Sequence, residues 1–271
     1  MSRIAAKFAD LRKSRRSAFV PFLTAGDPDL ETSFELIQKL PAAGADIIEL
    51  GIPFSDPMAD GPVLQRSAGR ALHAGTTLPR VLELVARLRA TISQPLILFG
   101  YYNPFFRYGV AELARDAAAA GADGLLCVDL PPEEAHDLRR AARSAELDLI
   151  ALLAPTTPPA RIRTIARTAS GFLYFVSVLG TTGARTDLPP SLPDWVRRVR
   201  QTTELPVGVG FGVSRPEQAA WIAGFADAVI IGSAIARCVE EGSADGAPGR
   251  VADFLGAIRQ AMRAAAPARV G

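Results

Sequence analysis

Lysine is almost missing from this 271-residue chain: Lys7, Lys13 and Lys39 are the only three, although Lys and Arg together number 30. The first two fall in a leading amphipathic segment and the third inside a helical pattern. None is placed for a Schiff base, with a substrate or with pyridoxal phosphate, which excludes that chemistry from this chain. Histidine is as scarce. His73 and His136 lie in separate helical or loop regions with no second histidine at ligand spacing, so both are expected to be structural and no metal site is expected. The two cysteines, Cys127 and Cys238, are far apart, one in an apolar run and one in a helical pattern. They are expected to be free buried thiols in a reducing cytoplasm, with no secretory segment. No apolar run approaches the roughly 20 residues that cross a bilayer, so a soluble protein is expected. Asp and Glu number 28, close to the 30 basic residues. That balance lacks the concentrated positive field that nucleic acid requires. GxSxG, Walker and catalytic-cysteine signatures are absent as well. Acid and base work by carboxylates is what these absences leave.

Eight short apolar runs are present: 17–23, 46–52, 96–102, 124–130, 148–154, 172–178, 206–212 and 227–233. They are continuous rather than alternating, as in parallel strands covered on both faces. Helical spacing fills most of the gaps, for example Leu30 to Leu40, Leu78 to Leu88, Val110 to Ala120 and Glu133 to Ala145. The joint AAGAD recurs at 42–46 and 119–123, with AGFAD at 223–227, and its glycine suits a helix C-terminal cap. Eight strand and helix pairs in one evenly composed chain predict an α/β fold, a closed (β/α)8 TIM barrel spanning 1–271 as a single domain. Two additions are expected: an amphipathic helix before the first strand, with Ile4, Ala5, Phe8 and Leu11, and a surface loop formed by EEGSADGAPG at 240–249.

Barrel active sites lie at the C-terminal strand ends. There the sequence places Thr24, Gly26 and Asp27 after the first run, Glu49 to Asp60 around the second, Tyr101 and Asn103 at the third, and Asp129 at the fourth. Glu49 breaks an apolar strand, a position that suits either a catalytic carboxylate or an ion-paired structural one. Asp60 precedes a glycine, which is also ordinary turn chemistry. On the other side of the mouth, VLGTTGAR at 178–185, VGFGVSRPEQ at 209–218 and IIGSAIAR at 230–237 put three glycine-containing loops after strands six, seven and eight. Small residues let backbone N–H groups approach an anion, and a short helix opened by Gly232 and Ser233 would aim its positive end at a phosphate.

The motifs PFLTAGDPD at 21–29, ELGIPFSDPMADGP at 49–62, TGA at 182–184, GFGVS at 210–214 and GSAI at 232–235 fall in register over nearly the whole chain. Through them the sequence resembles the alpha subunits of tryptophan synthase, the indole-3-glycerol-phosphate lyases. The resemblance implies retro-aldol cleavage to indole and glyceraldehyde 3-phosphate with no cofactor in this chain, pyridoxal phosphate belonging to the partner. It implies Glu49 as the proton donor and acceptor and Asp60 as the partner of the indole N–H. Phe22, Phe99, Tyr101, Val128, the Ile150 to Leu152 neighbourhood and Phe211 would wall the indole, with Tyr174 near Glu49. Barrel packing accounts equally well for Phe22, Phe99 and Val128. Thr182 would meet Asp60 on closure, while Gly183, Gly210, Gly212, Gly232 and Ser233 would hold the phosphate. Val178 departs from the arginine that some members carry.

The resemblance further implies a pyridoxal-phosphate beta subunit in an α2β2 heterotetramer. An apolar rim of Pro53, Phe54, Pro57 and Met58 around Asp56, with Asn103, Pro104, Phe105, Phe106, Pro131 and Pro132, would meet it. A stand-alone lyase, a different phosphate-binding barrel isomerase and an inactive activating subunit are the competing readings.

Overall fold

A computed structural model describes residues 1–177, 188–210 and 212–265. Its first half runs α1 (Arg3–Lys13), β1 (Ala18–Thr24), α2 (Leu30–Lys39), β2 (Ile48–Gly51), α3 (Pro62–His73), α4 (Leu78–Arg89), β3 (Leu96–Gly100), α5 (Tyr102–Tyr108), α6 (Val110–Ala120) and β4 (Gly124–Cys127). The second half continues α7 (His136–Ser144), β5 (Asp148–Leu153), α8 (Pro159–Thr168), β6 (Leu173–Val176), α9 (Leu192–Arg200), β7 (Val207–Gly210), α10 (Pro216–Ala223), β8 (Ala228–Ile231), α11 (Ser233–Glu240) and α12 (Ala247–Ala264). The strands pair in sequence order, all parallel, and β8 returns to β1 to close the barrel. The eight apolar runs each supply one strand, and this is the (β/α)8 architecture.

Alternation along the strands separates two apolar layers. Phe19, Leu23, Ile48, Leu50, Leu96, Leu98, Leu173 and Phe175 face outward and pack under the helices. Val20, Phe22, Ile97, Phe99, Phe172, Tyr174, Ala228 and Ile230 face inward and fill the barrel. The leading helix α1 joins this inner layer, burying Ile4, Phe8 and Leu11 and setting the Phe8 ring 5.6 Å from Phe172. Its side chains therefore plug the N-terminal end of the barrel. Ser2 caps it by accepting from the Ala5 N–H, and Arg3 pairs with Asp123 at 3.1 Å.

The recurring AGAD joint does more than turn the chain. Gly121 caps α6 in the left-handed region, φ 98°, as expected, but Gly224 caps α10 with φ −67° and Gly44 lies in a turn beyond the end of α2. What repeats chemically is the aspartate. Asp46 accepts the Phe19 N–H at 3.0 Å, Asp123 the Leu96 N–H at 2.8 Å and Asp227 the Val207 N–H at 2.9 Å. Ser170 does the same before β6, its Oγ accepting the Leu149 N–H at 2.9 Å. Every even-numbered strand is thus stapled by one side chain at its start to the odd-numbered strand before it. Each donor is a strand-edge N–H that the parallel ladder leaves over, and burial without an acceptor would cost about 1–3 kcal/mol.

Two expectations are corrected. The EEGSADGAPG stretch is a loop only to Gly246: α12 begins at Ala247, with Pro248 in its first turn, where the missing N–H costs nothing, and both residues buried. The rim segment after β3, expected to display Phe105, is the helix α5 and buries Phe105 completely. Gly100 makes room for that ring, since a Cβ there would stand 2.6 Å from Phe105 Cε1.

Candidate active site

Glu49 follows the inward parity of Ile47, so its side chain joins the barrel interior between Phe22 of β1 and Ile97 of β3, its register partners. It is fully buried, and neither carboxyl oxygen has a hydrogen-bond partner among the described residues. Desolvation with no compensating cation pushes its pKa up to about 8. A structural carboxylate would have been given an arginine or backbone donors, as Asp46 and Asp123 are. Glu49 is instead a neutral acid held in an apolar wall.

Asp60 sits at the start of a different element. The loop after β2 turns through the Asp60 N–H to Pro57 carbonyl bond, and α3 begins two residues later at Pro62. The same residue closes the turn and lines a neighbouring cleft. The Tyr101 hydroxyl donates to Asp60 Oδ2 at 3.0 Å and accepts the Ala59 N–H at 3.1 Å, and the Phe54 ring lies 5.4 Å from the Tyr101 ring. Burial raises the Asp60 carboxyl to about 6, an upward push that the Tyr101 hydrogen bond partly offsets. Burial thus raises both carboxyl groups, and Glu49, which lacks the hydrogen bond that Asp60 has, is raised further.

Beside Asp60 opens a narrow cleft, and Phe22, the register partner of Glu49, forms part of its wall. Phe22, Leu64, Phe99 and Ile230 form its apolar walls, with Phe22 edge-on to Phe99 at 5.2 Å. Asp60 and Tyr174 supply polar groups, and Gly212, Gly232 and Ser233 complete the lining. The last two are the N-cap and first residue of α11, whose exposed N–H groups and dipole favour an anion there. Gly210 is obligatory for a second reason: a Cβ would stand 2.2 Å from the Tyr174 hydroxyl, so only glycine lets that ring lie across the strand end.

A family model described as tryptophan synthase alpha chain matches residues 8–266. The chain belongs to this family. The tryptophan synthase alpha chain of Geotalea uraniireducens is 52% identical over 264 residues, covering 97% of this chain and 99% of that one. The counterpart from Geobacter sulfurreducens is 51% identical over 262 residues, with 97% and 99% covered. Among solved structures, tryptophan synthase subunit alpha from Legionella pneumophila superposes with a TM-score of 0.90 at 38% identity, covering 97% of this chain and 99% of that one.

Set against this alpha-chain fold, the expected site residues separate into groups. Asp60, Phe22, Phe99, Tyr174, Gly212, Gly232 and Ser233 line one cleft, Tyr101 reaches it through Asp60, and Glu49 lies behind it in the barrel interior beside Phe22 and within electrostatic reach of Tyr174. Val128, Ile150 and Leu152 line a neighbouring cavity on the β4 and β5 side, which also touches Met58 and Ala59. Val178, Thr182, Gly183 and Phe211 lie outside the described residues. On the rim, Asp56, Asn103 and Pro131 are exposed, Met58 is 78% exposed and Pro57 partly so. Pro53, two residues past the end of β2, is buried, and Phe105 is buried in α5, so neither is displayed. Sequence reading missed Leu64, Val213 and Ile230 as cleft residues. Strand parity could have given Ile230, and Leu64 is the first large apolar residue on the first turn of the helix that follows Asp60.

Proposed function

We propose that the chain performs the lyase reaction of tryptophan synthase at this cleft, cleaving indole-3-glycerol phosphate to indole and glyceraldehyde 3-phosphate. One observation supports the assignment of roles: the N-terminus of α11 and a tethered Asp60 line one apolar cleft, whose residues Phe22 and Tyr174 link it to the buried, unpartnered Glu49. The phosphate lies at Gly212, Gly232 and Ser233, and the indole ring lies among Phe22, Leu64 and Phe99. Glu49, protonated near neutral pH, delivers its proton to C3 of the indole. The ring becomes an indoleninium ion, whose positive charge at nitrogen is stabilised by the Asp60 carboxylate across the N–H. The Glu49 carboxylate then takes the proton of the side-chain hydroxyl next to the ring. The carbon–carbon bond breaks, its electron pair returns to the ring, and the carbonyl of glyceraldehyde 3-phosphate forms. Protons balance, and Glu49 ends protonated.

The substrate's own ring is the electron sink, so the reaction as drawn calls for no cofactor in this chain. The partner is a tryptophan synthase beta subunit carrying pyridoxal phosphate, in an α2β2 heterotetramer. The exposed rim at Asp56, Pro57, Met58, Asn103 and Pro131 meets it, next to the loop that carries Asp60. No described helix is long and apolar enough to cross a membrane, and a cytoplasmic location accords with this.

The test is to incubate the purified chain with indole-3-glycerol phosphate and follow both products by mass, with Glu49→Gln as control. A beta subunit is then titrated in. Release of indole by wild type alone, suppressed in the variant and enhanced by the beta subunit, is the expected result. Absence of indole under every condition overturns the assignment.

A further inference from the structure

Helix α3 presents Arg66 and Arg70 one turn apart on one face, with Ser67 beside them. The two guanidinium groups bracket the carboxylate of Glu240, the last residue of α11. Arg66 binds it at 2.6 and 2.8 Å through Nε and Nη2, and Arg70 through Nη1 at 2.9 Å. Arg70 turns its other edge to Asp27 in the loop after β1, with Nε at 2.7 Å and Nη2 at 2.8 Å, and Ser67 donates to the same carboxylate. Asp27 is buried, whereas Arg70 and Glu240 are about one-third exposed and Arg66 about half. A surface ion pair alone would be worth little, but this is a bidentate five-residue network, anchored on a buried carboxylate, that joins three elements.

These three elements carry the mouth. The strand before Asp27 carries Phe22, the turn before α3 carries Asp60, and α11 opens at Gly232 and Ser233. Glu240 lies a whole helix length from the anion-binding end, about 10–12 Å at 1.5 Å per residue. The network therefore touches neither Asp60 nor the phosphate end. It can act on the reaction only by fixing how the two are placed relative to each other.

We propose that Arg70, with Arg66 and Glu240, is a positioning cluster that sets the separation between the phosphate end of the cleft and Asp60, so that a substrate spanning both is held for proton transfer at its ring. The proposal rests on the reading of the cleft given above. Each half of the cleft is built from residues other than these three. The cluster's effect is therefore confined to ligands that occupy both halves at once.

The experiment compares wild type, Glu240→Gln, Arg66→Met and Arg70→Lys in three measurements: binding of glycerol 3-phosphate, binding of indole, and cleavage of indole-3-glycerol phosphate. Glu240 and Arg66 are accessible enough for these variants to fold, and Arg70→Lys keeps a cation beside buried Asp27 while losing the fork that spans both carboxylates. Circular dichroism and thermal melts fix a temperature at which all four are folded. Expected are dissociation constants for the two fragments within about two-fold of wild type, with kcat/KM for the whole substrate lowered roughly 10- to 100-fold, the range for misplacement by about 1 Å. Variants that keep wild-type kcat/KM while melting earlier would show a purely structural network and overturn the proposal, as would loss of glycerol 3-phosphate binding in parallel with cleavage. Wild type that releases no indole would instead overturn the assignment of the cleft, a result separate from either.

Discussion

Replacing Glu49 with Gln should abolish cleavage and stabilise the free protein at alkaline pH, two effects with one cause. The carboxyl is fully buried without a partner among the described residues, and its pKa stands at about 8 against an ordinary 4.5. A raised carboxyl pKa means that the folded state keeps a proton the unfolded chain gives up. This contribution is complete below pH 4.5, declines as pH rises, and is gone above about 8. At about 1.4 kcal/mol per pH unit the span amounts to a ceiling of about 5 kcal/mol. Relaxation and water entry reduce such penalties, so a difference of about 2 kcal/mol at pH 9 is the working expectation. Glutamine is neutral at every pH and escapes this term, while its amide is desolvated much as the protonated acid is. Thermal melts of both proteins at pH 5, 7 and 9 should therefore give a gap that widens in favour of the variant by about 4–8 °C for a chain of this size. Groups that do not sense Glu49 cancel in that difference, and Tyr174, which does, is raised well above its ordinary value by burial and stays protonated over this pH range. Cleavage by the variant should fall by about 10²- to 10⁴-fold. A gap independent of pH would refute the desolvated carboxyl, and turnover within a few-fold of wild type would refute the catalytic role.

Asp60→Asn should cost less than Glu49→Gln at saturating substrate, because the amide oxygen still accepts from the indole N–H; steady-state kcat values for the two decide it. The pH profile of kcat/KM should be bell-shaped, falling below about 6 as the Asp60 carboxylate is protonated and above about 8 as Glu49 loses its proton. Since the Tyr101 hydrogen bond lowers the Asp60 pKa, Tyr101→Phe should move the acidic limb to higher pH and leave the alkaline limb in place. Gly232→Val places a branched side chain where Cβ already stands 3.0 Å from Phe22 Cδ1, at the mouth of the anion site. Calorimetry should then show glycerol 3-phosphate binding weakened more than indole binding, and equal losses would indicate general distortion of the mouth.

The barrel was legible because parallel strands covered on both faces must be continuous apolar runs, and each of the eight became a strand. Glu49 was legible as a departure from such a run, and the start of α11, the candidate anion site, as a glycine and serine at a strand-to-helix turn. What escaped depends on register and on distant neighbours. Leu64 and Val213 enter the cleft only because α3 and the β7 loop fold over it. Phe105 looked like part of an apolar rim, yet Gly100 gives its ring a berth inside. The Glu240 cluster joins residues 174 and 170 positions apart, a separation that no local pattern encodes. Ser170 escaped because it performs, with a hydroxyl, the task that aspartate performs in the other three joints.

The staples at Asp46, Asp123, Ser170 and Asp227 divide the molecule for anyone who cuts it. Each ties an even strand to the odd strand before it, so the chain falls into four consecutive two-strand quarters whose closing bonds are internal. A break placed between quarters, at Thr91 to Pro95 or at Ala145 to Leu147, leaves all four bonds within one fragment or the other. A break at Gly121 to Asp123 divides β3 from the aspartate that holds it. Co-expressed halves that meet at the first kind of junction should reassemble into soluble lyase, and circular permutants opened there should fold, while those opened within a quarter should be recovered poorly.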